Sequence, residues 1–210
     1  MRITLIGMSG SGKSYWSRKL VERGFKSFPC DDLIAQKLFP EMVKPNNAVC
    51  FLGKWMGFPY QPEYEERELR YLRTEIQVLS EIVNYLGSHK DNAEESVVVD
   101  TTGSVVYCGE EILQALRRFT TIVHLSTPPE IQEKMLKAYL AHSRPVLWRG
   151  LFVLKQGEAI EQALARCYPI LLATRERLYQ QYAHMTIDDC KRRSQNFGVD
   201  AFLQEILEGE

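Results

Sequence analysis

Short β-branched runs alternate with longer amphipathic stretches from one end of the chain to the other. Alternation of this kind is the pattern of strand-helix-strand units and of a parallel sheet. It predicts strands at Arg2–Ile6, Lys26–Phe28, Val97–Val99, Thr121–Leu125 and Met185–Ile187. Helices are predicted over Lys13–Glu22, Asp32–Leu38, Glu63–Leu86, Glu110–Arg118, Pro129–His142, Gly157–Tyr182 and Asp200–Leu207. Pro128-Pro129 marks a sharp helix start, because proline is tolerated in the first turn of a helix and not further in. Two segments fit neither period: Phe39–Pro62, rich in proline, glycine and aromatic residues, and Ser143–Gln156. Long irregular stretches of this kind tend to be lids or binding loops. The expected fold class is α/β, a doubly wound five-stranded parallel sheet with helices on both faces and a lid at about 143–156. With 210 residues and no internal repeat, low-complexity tract or linker, residues 1–210 are expected to form a single domain.

Composition narrows the partners. The formal net charge is −1, so the chain lacks the basic excess from which sequence-independent nucleic-acid binding draws its affinity. No nucleic-acid partner is expected. The run Lys191-Arg192-Arg193 is the compact basic cluster, and short charge runs are usually solvated. Five cysteines, odd in number, widely spread and without a C-x-x-C pair, fit a reduced, cytoplasmic setting. No stretch approaches the length of a membrane span, so no membrane partner is expected; a partner protein is left open. The four histidines are scattered without metal-ligand spacing and read as structural or surface residues.

The chemistry is concentrated in Gly7-Met8-Ser9-Gly10-Ser11-Gly12-Lys13-Ser14, a full G-x-x-x-x-G-K-[ST] match between a predicted strand and a predicted helix. Glycines allow turn geometries in which successive backbone N–H groups point inward around a phosphate, and the helix start adds partial positive charge. Gly7, Ser9, Gly10, Ser11, Gly12, Lys13, Ser14 and Tyr15 are therefore the candidate nucleotide-binding residues, with Lys13 reaching the β- and γ-phosphates of ATP and the Ser14 hydroxyl binding Mg²⁺. Asp100 ends a buried strand run and, since ligands of doubly wound sheets bind at the carboxyl ends of strands, is a candidate for the same Mg²⁺. By the same argument Asp31 faces the acceptor hydroxyl, whereas Asp32 reads as a helix N-cap. Arg144, Arg175 and Arg177 are candidate phosphate or anion ligands, because a guanidinium donates two parallel hydrogen bonds and stays charged.

These residues together resemble the shikimate kinase family of small P-loop kinases, in order through most of the chain. Val98-Val99-Asp100-Thr101-Thr102-Gly103-Ser104-Val105-Val106 is similar to that family's strand and glycine-rich acceptor loop, Arg144-Pro145-Val146-Leu147 to its lid motif, and the stretch Arg175 to Ala183 to its late helix. The resemblance implies a P-loop kinase fold with an acceptor-binding insertion at about 31–86. It also implies that Arg144 contacts ATP, that Gly103 lines the acceptor site and that Arg175 holds the acceptor's carboxylate. One of Arg67, Arg70 and Arg73 would supply a further acceptor-binding arginine. The sequence departs from the family at Thr102-Gly103-Ser104, where the family has three glycines, and at Pro29, which takes the place of the first of two aspartates; Asp100 is the candidate to substitute.

The expected activity is ATP-dependent transfer of a phosphoryl group to a small-molecule hydroxyl, with ATP and Mg²⁺ as cofactors and Lys13, Asp31 and Arg144 as the catalytic set. Two alternatives stand beside it. A nucleotide or nucleoside kinase would use Trp55 and Phe58, from the aromatic stretch Phe51–Tyr60, to stack on a base; a nucleotide-binding module that has lost catalysis would bind ATP without transfer.

Overall fold

The computed structural model describes residues 1–41, 47–92, 94–141 and 144–209. Five strands form one parallel sheet in the order β2-β3-β1-β4-β5: β1 Arg2–Ile6, β2 Lys26–Pro29, β3 Val97–Asp100, β4 Thr121–Leu125 and β5 Met185–Ile187. Between and after them run α1 Lys13–Val21, α2 Cys30–Leu38, α3 Ala48–Met56, α4 Tyr64–Ser88, α5 Glu110–Phe119, α6 Gln132–Ala141, α7 Ile160–Tyr182, α8 Asp189–Arg192 and α9 Val199–Glu208.

The central strands β1, β3 and β4 are mostly apolar and buried because both faces of the sheet are covered there, whereas the edge strand β2 carries Lys26 and Ser27. Successive side chains alternate between faces. Ile3, Leu5, Val98, Val123, Leu125 and Ile187 pack with Trp16 and Leu20 of α1 and Phe202 and Ile206 of α9; Trp16 stacks on Phe202 with ring centroids 4.4 Å apart. Ile6, Val97, Val99 and Ile122 face the opposite way, into a larger core filled from α2 to α7. Arginines close the carboxyl ends of the two long helices. Arg2 Nη1 donates to the Leu86 carbonyl (3.0 Å) beside the end of α4, and Arg117 Nη1 donates to those of Tyr182 and Ala183 (2.6 and 3.1 Å) at the end of α7. Both satisfy carbonyls that a helix leaves without an internal partner.

Strand expectations agree with the structure to within one residue. The irregular segment Phe39–Pro62 does not: it contains α3, capped by Asn47 Oδ1, which accepts the Cys50 N–H (3.1 Å), and ended at Gly57. Ala48, Leu52 and Met56 recur every four residues and are buried on one face, a period hidden in the sequence among flanking glycines, prolines and aromatics. Residues 42–46 of this segment, with Ser143 of the expected lid and His142, lie outside the described residues.

Asp32 is not an N-cap. α2 begins two residues earlier at Cys30 and receives no side-chain cap, so Asp32 sits in the first turn, where its charge meets the positive end of the helix. All five cysteines are free thiols. His124 is fully buried and stacks on Tyr179 (5.3 Å); burial lowers its pKa to about 4, so the ring is neutral near neutral pH. No helix among the described residues is long and apolar enough to cross a membrane.

Candidate active site

The carboxyl ends of β2, β3 and β1 are level, since Pro29 and Leu5 both pair with Asp100. Loops leaving these three strands therefore meet at one edge of the sheet. The loop between β1 and α1 runs from Gly7 to Gly12. Gly12 has φ +97° and ends in α1 with no side-chain cap, leaving the first N–H groups of the helix without partners from a capping side chain. A Cβ on Gly7 would lie 2.6 Å from the Leu125 carbonyl oxygen, so this position admits no side chain.

A cleft of about 690 Å³ opens above that loop. It is lined by Ser9, Gly10, Gly12, Lys13, Ser14 and Tyr15 from the loop and α1, by Asp31, by Thr102 and Gly103, and by Arg144 and Arg175. Most of the predicted site residues are thus brought together. Asp100 lines an adjoining recess of about 460 Å³ that shares Ser14 and Asp31 with the cleft. Ser11 lines a recess of about 200 Å³ on the α6 side of the loop, with its hydroxyl buried and without a hydrogen-bond partner. Gly7 lies beneath the loop against Leu125, and Tyr15 is half exposed at the cleft's edge, its ring edge-on to Trp16.

Lys13 is buried and its Nζ donates to the carbonyls of Gly7 (2.8 Å) and Met8 (3.0 Å). Burial lowers its pKa, opposed by the carboxylates of Asp100 and Asp31. Those two acids respond in the opposite direction. Burial pushes Asp31 up to about 7, against the pull of Lys13 and with the help of Asp100 and Glu75. Asp100 is also raised by burial, with Lys13 and then the Ser14 hydroxyl pulling it back. Asp31 Oδ1 lies 3.4 Å from the Tyr71 hydroxyl.

Arg144 Nη1 donates to Ser9 Oγ (3.0 Å), which lays the guanidinium over the glycine-rich loop. Arg175 is 4% exposed; its Nη2 donates to the Leu147 carbonyl (2.8 Å), and its Nε is buried with no partner. An unpaired buried guanidinium N–H is costly unless something meets it. A Cβ on Gly103 would come within 3.3 Å of both Arg175 Nη1 and the Ser9 N, so the loop after β3 approaches the glycine-rich loop through this glycine.

The departures at Thr102 and Ser104 are accommodated by a residue the sequence reading passed over. Glu75 of α4 is fully buried and accepts hydrogen bonds from the Thr102 hydroxyl and from Ser104 Oγ (2.7 Å), so both side chains turn back onto the helix. A signal was present: Tyr64, Glu68, Tyr71, Leu72, Glu75, Val78, Leu79, Ile82 and Leu86 are the buried residues of α4, and the two acids fall on that otherwise apolar stripe.

Several expectations are corrected. None of Arg67, Arg70 and Arg73 lines the cleft; the same helix presents Tyr71 there instead. Arg70 turns toward Trp55 (5.9 Å to the ring centroid) and the Leu38 carbonyl, and Arg73 and Arg177 are exposed. Trp55 and Phe58 also stay out of it. Trp55 packs edge-on to Phe39 and Phe58 against Tyr139, so the aromatic stretch is a satellite of the core, and among its described residues the segment Phe39–Pro62 offers the cleft Asn47, Val49 and Cys50. The described part of the expected lid, from Arg144 to Gln156, holds no regular element, as expected, but it is anchored. Val146, Leu147 and Trp148 are buried, Tyr64 Oη accepts the Trp148 N–H (2.9 Å) and Glu68 Oε1 accepts that of Arg149 (2.9 Å).

The arrangement suits nucleotide phosphate and Mg²⁺: an uncapped helix start, a lysine and an arginine converge on it, and Ser14 and Asp100 offer oxygen ligands beside one another. Among the described residues the hydrogen bonds of Lys13 Nζ go to the Gly7 and Met8 carbonyls.

The fold recurs among solved structures. The shikimate kinase from Acinetobacter baumannii, in complex with shikimate, matches with a TM-score of 0.62 at 22% identity over 100% of this chain and 94% of that one. That from Bacteroides thetaiotaomicron matches at 0.61 and 19%, covering 99% and 98% of the two chains, and that from Aquifex aeolicus at 0.56 and 18%, covering 100% and 95%. The chain has the P-loop kinase fold. No protein-family model matches the sequence, and no curated protein matches it significantly.

Proposed function

We propose that this protein transfers the γ-phosphoryl group of Mg-ATP to a hydroxyl of a small acceptor that carries one anionic group, as shikimate does. The observation that carries the reading is the single cleft in which Lys13, Ser14, Asp31, Arg144 and Arg175 converge. Lys13 and the loop N–H groups hold the phosphates, and Ser14 with Asp100 holds Mg²⁺. Bound Mg-ATP would supply the transferable phosphoryl group and part of the neutralising charge. Arg144 closes over the loop and excludes water, which favours the acceptor over hydrolysis. The guanidinium of Arg175, which lines the cleft, takes the acceptor's anionic group. Asp31 receives the proton of the acceptor hydroxyl.

The test is ADP release from Mg-ATP with and without shikimate and a panel of small hydroxy acids, polyols and nucleosides. Stimulation by an anionic hydroxy compound is expected. Stimulation by nucleosides alone would establish the nucleoside kinase reading, which loses its stacking residues because Trp55 and Phe58 lie away from the cleft. Mg-ATP binding with no stimulation by any compound would favour the module without catalysis.

The protonation of Asp31 gives a second handle. A proton acceptor must be ionised, and burial raises this carboxyl to about 7. Acceptor kcat/KM is therefore expected to rise with pH through a limb near 7, since that ratio reports groups of the free enzyme. Asp31→Asn should lower activity by about 10²- to 10⁴-fold and remove the limb. A wild-type profile flat between pH 6 and 8 would take Asp31 out of the proton transfer.

A further inference from the structure

The run Lys191-Arg192-Arg193, read from charge alone as solvated, divides in the structure. Lys191 pairs with Glu205 and Arg193 with Asp189, both cations on the surface. Arg192 between them has a side chain only 4% exposed. It ends α8, the short helix directly after β5, and points under the glycine-rich loop. Its Nε donates to the Ile187 carbonyl (3.1 Å), Nη1 to that of Ser11 and Nη2 to that of Ser126. Asp189 Oδ1 lies 3.5 Å from Nη2. One guanidinium thus joins three segments, at the carboxyl ends of β1, β4 and β5.

The carbonyl of Ser11 is the informative contact. A peptide unit is planar and trans, so the C=O of Ser11 and the N–H of Gly12 point in opposite directions. A loop that aims its N–H groups at a phosphate must turn carbonyls into the protein, and a buried carbonyl needs a donor. Lys13 Nζ meets the carbonyls of Gly7 and Met8, and the Ser11 N–H also donates to Met8. The Ser11 carbonyl is met by Arg192. A Cβ at Gly12 would stand 3.6 Å from Arg192 Nη1, so the guanidinium lies directly against this peptide.

We propose that Arg192 is a positioning residue for the nucleotide site: by holding the Ser11 carbonyl from beneath, it orients the Ser11–Gly12 peptide so that the Gly12 N–H faces the phosphate. The inference rests on the nucleotide reading of the loop. A planar fork with five donors can serve three carbonyls at once, whereas a lysine ammonium is a single compact charge on a flexible stem.

Binding of Mg-ADP and of AMP by the full chain tests it, because the loop cradles the outer phosphates, which AMP lacks. Arg192→Ala is expected to weaken Mg-ADP by roughly tenfold to a hundredfold, the range for losing a charged hydrogen bond, while AMP binding is unchanged. Millimolar guanidinium ion should restore part of the lost Mg-ADP affinity. If the alanine variant does not fold, Arg192→Lys, which keeps the charge, carries the test and should show the same selective loss. Equal losses for the two nucleotides, or none, would overturn the positioning role. Failure of the unsubstituted protein to bind Mg-ADP would instead overturn the nucleotide reading from which the inference starts.

Discussion

Lys13→Ala is expected to lower acceptor-dependent ADP release by at least about 10²- to 10³-fold, the loss that follows removal of one preorganised charge-stabilising donor. The same substitution should leave the fold intact. Lys13 is a buried cation whose pKa burial lowers, so its charged form is held at a cost, and Nζ meets only the carbonyls of Gly7 and Met8. Removing it leaves those carbonyls without that donor and takes away the cation that opposes the raised pKa of Asp31 and Asp100, which is destabilising. A modest fall in the thermal midpoint is therefore expected beside the collapse of turnover, smaller in Lys13→Met, which keeps much of the side-chain volume. Unchanged turnover in either variant would sink the P-loop assignment.

Glu75→Ala is expected to destabilise the protein by about 2–5 kcal/mol, because it takes from the buried Thr102 and Ser104 hydroxyls the carboxylate that accepts from both and opens a cavity in α4's buried face. For a chain of this length that is a fall in Tm of roughly 5–15 °C. Burial raises the Glu75 pKa, and the hydroxyls of Thr102 and Ser104 oppose that shift more strongly than the charge of Arg175 does. Glu75→Gln, which keeps one oxygen acceptor in nearly the same shape, should lose much less. The distinctive readout is acceptor binding. With Thr102 and Ser104 released, Gly103 keeps the hydrogen bond its carbonyl accepts from the Tyr179 hydroxyl but loses its anchor on α4, and the acceptor KM should rise in Glu75→Ala well before the ATP KM does. A thermal scan with separate titrations of the two substrates distinguishes this from general loss of structure.

The strands, the glycine-rich loop and the helix after it were legible in the sequence because each is a local pattern. β1 and β4 are runs whose every residue is apolar or β-branched apart from Arg2 and His124, and the Gly7–Ser14 motif fixes its own turn and helix start. α3 was missed because its period of four is short and lies between proline-rich flanks. The three arginines of α4 were drawn to the acceptor site by their place in the chain. A helix has one face toward the cleft, and that face carries Tyr71. Arg192 was set aside for the converse reason: charge pattern describes a residue's neighbours in sequence, and its partners Ser11 and Ser126 are remote from it in the chain.

By itself, then, the sequence determined the order of the strands, the glycine-rich loop with the helix after it, and the residue types at the strand ends, because hydrophobic period, glycine geometry and helix starts act over a few neighbouring residues. Tertiary structure alone decided which charged side chains are buried and what each one faces. Glu75 folds the loop after β3 back onto α4, Arg175 keeps its Nε buried without a partner among the described residues, and Arg192 holds the glycine-rich loop from below. The reason is physical: a buried ionisable group is stabilised only by partners that satisfy it, and here those partners come from other strands, helices and loops.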